Sequence, residues 1–90
     1  MGLMQFLDRV YAEEQYSKWK RIEGLRETIE GDIKSLESEA DAILKRGGLF
    51  SRTRFREYRK IIRKKQERLT VLKKKELIAK DKFKQVEGSL

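Results

Sequence analysis

The stretch Lys45–Arg68, KRGGLFSRTRFREYRKIIRKKQER, decides the fold. Its Gly-Gly pair, Gly47 and Gly48, separates two long charged segments that both show helical periodicity. Lys45 and Arg46 suit a helix carboxyl terminus, where cations meet the negative end of the dipole. Gly47 fits the left-handed position that commonly ends a helix, and Gly48 adds further freedom. Ser51 is then the expected amino cap of the next helix. Phe50 and Phe55 stand at the spacing of a hydrophobic staple around that cap. So short a connection makes the two helices antiparallel neighbours.

Working backwards from the glycines, apolar residues recur at Ile22, Leu25, Ile29, Ile33, Leu36, Ala40 and Ile43. Spacings of three and four put them on one helix face, with a single extra residue near Ile29–Ile33. Trp19, Tyr16 and Ala12 extend the face less regularly, and Leu3, Phe6, Leu7 and Val10 form a separate amphipathic start. Working forwards, Phe55, Ile62, Leu69, Glu76 and Phe83 form one heptad set, and Tyr58, Lys65, Leu72, Ala79 and Val86 the other. The reading is all-α: helix one over about 3–46, a turn at 47–51 and helix two over about 52–86, as one antiparallel coiled-coil hairpin over 1–90. Folding back at Gly48 pairs residues whose numbers sum to roughly 98. Lys65 then falls near Asp32 or Ile33, and Glu76 near Ile22 and Arg21, as polar seam positions that set register. The first seven or so residues would overhang the end of helix two.

Composition narrows the function classes. Of 90 residues, 42% are charged and 38% apolar, and there is no Pro and no Asn, so turns beyond the glycine pair are scarce. With no Cys and no His, disulfides, thiolate or imidazole catalysis and His/Cys zinc sites are excluded. The acids alternate with bases at helix spacing, which reads as a solvated face and not a carboxylate metal site. No phosphate-cradling glycine loop is present. The expectation is a non-enzymatic protein without cofactor. No apolar run reaches the roughly 18 residues of a membrane span. MGLMQFLDRVY lacks the features of a secretory signal, and Phe6 stands where a myristoylation start wants Ser or Thr. A cytoplasmic, intracellular location is therefore expected.

Two surface features point to binding. On helix one, Ser17, Gly24, Thr28, Gly31, Ser35, Ser38 and Ala42 form a stripe of small residues about 200° from the apolar face. It reads either as a surface for close helix approach or as a polar outer face that tolerates glycine. On helix two, Val71, Leu77 and Ile78 lie outside the seam, among Lys73, Lys74 and Lys75. Gly24, Thr28, Gly31, Ser35, Ser38, Val71 and Ile78 are thus the candidate association residues, for a homodimer, a larger bundle or docking on another protein.

The net charge of +8 is concentrated after the turn. Arg52, Arg56, Lys60 and Arg63 share a face, with Arg54, Arg59 and Lys64 around them. Cations in a first turn oppose the helix dipole, and like charges four apart repel. Local rules are most often broken where something binds. One reading is a larger protein or ribonucleoprotein assembly, engaged by the basic tip and outer faces of an accessory or regulatory protein. Another is sequence-independent contact with a DNA or RNA backbone, since Arg forks suit phosphate, though no recognition motif accompanies them. The plain alternative is a coiled-coil scaffold whose cations confer solubility and are partly neutralised by Glu37, Glu39 and Asp41.

Overall fold

The structure, a computed structural model, describes the backbone of residues 3–89 and the side chains of residues 7–88. Two helices account for it: α1, Leu3–Arg46, and α2, Ser51–Ser89. They pack against each other as an all-α hairpin. The side chains of Leu3 and Phe6, central to the expected overhang, lie outside the described residues; Leu7 is half-exposed.

The turn follows the glycine logic. Gly47 has φ 66° and Gly48 φ 111°. The Gly47 N–H donates to the Ile43 carbonyl at 3.2 Å, the single bond of a left-handed helix cap. At the other side the Arg54 N–H donates to the Phe50 carbonyl at 2.9 Å, so α2 opens one residue earlier than expected. Phe50 takes the cap position and Ser51 is the first helical residue. Phe50 is 69% exposed, too open to staple onto Phe55.

Contacts fall into two units. The turn unit, Glu27–Val71, is closed by Ile29, Ile33, Leu36, Ala40 and Ile43 of α1 with Phe55, Tyr58, Ile62, Lys65 and Leu69 of α2. Ile62 is fully buried and Ala40 is 1% exposed. Burying a side chain the size of Ile62 contributes about 1.5–3 kcal/mol. Lys65 Nζ donates to Asp32 Oδ2 at 3.5 Å, one of the two partners the register predicts.

The terminal unit joins the start of α1, through Arg26, to the end of α2, from Leu72. Its seam is Ala12, Gln15, Trp19, Ile22 and Arg26 with Leu72, Glu76, Ala79, Phe83 and Val86. Tyr16, Trp19 and Phe83 form an aromatic cluster with centroids 5.3–5.8 Å apart. Lys20 Nζ lies 4.6 Å over the Trp19 ring, within cation–π range.

The α1 seam corrects the sequence reading. Positions 12, 15, 19, 22, 26, 29, 33, 36, 40 and 43 are all covered and alternate by threes and fours without an inserted residue, with Glu23, Glu30, Glu37 and Ala42 half-covered beside them. Leu25 is half-exposed, and Arg26 occupies the seam in its place. An apolar-only search misses this because the long Arg stem covers the seam while its head pairs with a carboxylate. That carboxylate is Glu76, expected near Arg21 and Ile22, which Arg26 Nε contacts directly.

Candidate binding surface at the turn

All seven cations singled out in the sequence belong to the turn unit, and all are exposed: Arg52, Arg54, Arg56, Arg59, Lys60, Arg63 and Lys64. The first residues of α2 carry no acid to balance its dipole. At 100° per residue, Arg52, Arg56, Arg59 and Arg63 occupy a sector of about 60° on one flank of α2. Arg54 and Lys64 fall on the other flank, within about 80° of each other and of Ile61 and Arg68, with Lys60 between the groups. Arg52, Arg56, Lys60 and Arg63, read from spacing as one face, thus stay within about 80°, and Arg54 and Lys64 carry the cluster on to a second flank.

None of the seven side chains forms an ion pair or hydrogen bond among the described residues. The neutralisation expected from Glu37, Glu39 and Asp41 takes no such form. Glu39 is engaged with Tyr58 instead. A hydrogen bond to that carboxylate, with its negative charge and some desolvation, pushes the Tyr58 phenol above the usual tyrosine value, while Arg54 pulls the other way. Tyr58 thus acts as a seam residue, as its heptad position implies, and not as a stacking platform among the arginines.

The turn adds what the charges alone did not announce. Leu49 is 84% exposed and Phe50 69%, the most exposed large apolar residues in the described chain. They line a shallow depression with Ile43, Arg46, Ser51 and Arg54. An apolar pair therefore projects among cations that form no ion pair or hydrogen bond among the described residues. The sequence signal was present in the adjacent Leu49-Phe50 pair, but the staple reading assigned Phe50 an internal role.

The association residues divide between units. Gly24 and Ile78 belong to the terminal unit, and Thr28, Gly31, Ser35, Ser38 and Val71 to the turn unit. All seven are exposed. A Cβ added at Gly24 or Gly31 would meet nothing within 4 Å, so no close approach inside the chain accounts for either glycine. Among the described residues no group of three acids could hold a metal, and no helix is long and apolar enough to cross a membrane.

Comparison of the chain with protein-family models, with curated proteins and with solved structures finds no match, so its functional reading rests on the geometry of this surface.

Proposed function

We propose that the chain is a non-enzymatic accessory module that docks on a larger protein assembly, with its turn entering an acidic surface that has an apolar centre. The observation that carries this is the pairing of exposed Leu49 and Phe50 with unpaired cations on the same turn unit. A phosphate backbone offers an exposed leucine nothing, whereas covering each of these side chains on a protein contributes up to about 1.5–3 kcal/mol. The cations would supply steering and fix the partner's orientation.

A second reading, sequence-independent binding to nucleic acid, draws support from the arginines on the first flank, whose forks fit phosphate. Salt separates the two. Binding to duplex DNA through Z cations gives a slope of about −0.9Z in log affinity against log salt. The proposal expects a partner that survives nuclease treatment, is lost with Leu49→Ser/Phe50→Ser, and is weakened by Arg56→Glu/Lys60→Glu/Arg63→Glu. A capture that disappears with nuclease, with the steep salt slope and indifference to Leu49 and Phe50, would transfer the function to nucleic acid. If neither substitution set changes any binding, the turn is a solvated scaffold end.

A further inference from the structure

We infer that the terminal unit carries a second docking site, separate from the turn, for an acidic amphipathic helix of another protein. Lys18 and Ile22 of α1 and Lys75, Ile78, Ala79 and Lys82 of α2 line an open groove of about 270 Å³. Ala79 is buried and Ile22 half-buried, which gives an apolar floor, and Ile78 stands 56% exposed beside it. Leu25, half-exposed, continues the α1 wall one turn further on. Three lysines rim the groove and no carboxylate lines it. Among the described residues none of the three lysines has an ion pair or hydrogen bond.

Spacing shows the shape of the occupant. Lys75, Ile78 and Lys82 follow one another by three and four, and Lys18, Ile22 and Leu25 by four and three. Each wall therefore offers a stripe about two helical turns long in which apolar and cationic side chains alternate along one face. A third helix laid in such a groove presents its own apolar residues at the same period and needs negative charge at the flanking positions. The volume is below the ~300 Å³ at which small-molecule sites begin, and the groove is open along its length. A second copy of this chain meeting the groove symmetrically would set the lysines against themselves, because a two-fold contact brings one patch onto its own image. Nucleic acid would meet the lysines and leave Ile78 uncovered.

The test uses the full chain and two labelled synthetic helical peptides, both with Leu at heptad positions a and d. One has Glu at e and g, the other Lys. Fluorescence anisotropy of the parent should show the Glu peptide bound at least about tenfold more tightly than the Lys peptide, a preference worth one decade of affinity. Lys75→Glu/Lys82→Glu should reverse the preference, and Ile78→Ser should weaken the Glu peptide about tenfold. Each variant is checked for unchanged helicity, and the substituted side chains are exposed ones. The turn variant Arg56→Glu/Lys60→Glu/Arg63→Glu should keep the parent's preference, which separates this site from the function proposed above. Equal binding of both peptides, a preference that survives the lysine reversal, or one abolished by the turn variant would overturn the inference. So would light scattering that finds the parent dimeric and Ile78→Ser monomeric, because a second copy would then fill the groove.

Discussion

The Arg26–Glu76 pair tests how a polar contact inside a heptad seam contributes to this hairpin. The two side chains are 23% and 17% exposed, so the pair is neither a surface bridge nor a dry interior one. Removing a partner from a fully buried pair costs about 3–5 kcal/mol. A hydrogen bond to a charged group in a partly wet setting is worth about 1.5–3 kcal/mol. The lower range applies here, because water still reaches both heads. Glu76→Ala should therefore destabilise by about 1.5–3 kcal/mol, a fall in Tm on the order of 10 °C for a chain of this size. Arg26→Ala should cost at least as much, since its covered stem is lost as well. A double-mutant cycle by urea unfolding, followed by circular dichroism, should return a coupling of about 1–2 kcal/mol, inside the range for contacting residues. Replacing both by Leu should restore stability or exceed the parent, as apolar substitution of ion pairs often does. The Lys65–Asp32 bridge is the internal control. Its side chains are 29% and 50% exposed at 3.5 Å, so Asp32→Ala should cost no more than about 1 kcal/mol. A coupling near zero for Arg26–Glu76, equal to the control, would refute the assignment of Arg26 to the seam.

Two further predictions concern the glycines and Tyr58. Gly24→Ala and Gly31→Ala should each stabilise by up to about 1 kcal/mol, since the added methyl meets open space inside a helix; Gly47→Ala should destabilise by about 1–2 kcal/mol, because it forces an L side chain to φ 66°. Thermal melts of the single variants would show the opposite signs. With Tyr11 and Tyr16 changed to Phe, the ultraviolet titration of Tyr58 should move down on Glu39→Gln, because the carboxylate's hydrogen bond and charge hold the phenol up. A raised pKa means that the native state holds the proton more tightly than the unfolded chain. The stability this contributes is complete below the unfolded tyrosine value and is lost as pH rises through the native one. A titration that Glu39→Gln leaves in place would show that Glu39 is not what raises it.

The hairpin was legible because its two strongest signals are local. The Gly47-Gly48 pair after Lys45 and Arg46 ends a helix by backbone conformation alone, and the α2 heptad keeps apolar residues at most seam positions. The α1 seam was harder to read because Gln15 and Arg26 are polar by type and seam residues by position. The neighbouring apolar residues are Tyr16 and Leu25, and a seam drawn through them stays in step only with an inserted residue. The basic cluster was legible as charge, and its spread around the helix follows from the 100° spacing alone. The exposure of Leu49 and Phe50 was hidden because the spacing of Phe50 and Phe55 fits a staple that the structure does not form. The groove between Lys18, Ile22, Lys75 and Ile78 was out of reach, since it combines residues more than fifty positions apart that spacing on one helix does not relate.

The central claim is that the cations after the turn serve a partner and work against the hairpin itself. Urea unfolding of Arg52→Gln/Arg56→Gln/Lys60→Gln/Arg63→Gln measures this without reference to any ligand. The substitution removes a first-turn cation that opposes the α2 dipole, together with the repulsions Arg52/Arg56, Arg56/Lys60, Arg59/Arg63 and Lys60/Lys64. The account predicts a variant more stable than the parent by about 1–3 kcal/mol at low salt, with the gain shrinking as salt screens the charges. A variant less stable than the parent would mean that these side chains hold the fold together, and the reason for assigning them to a partner would be gone.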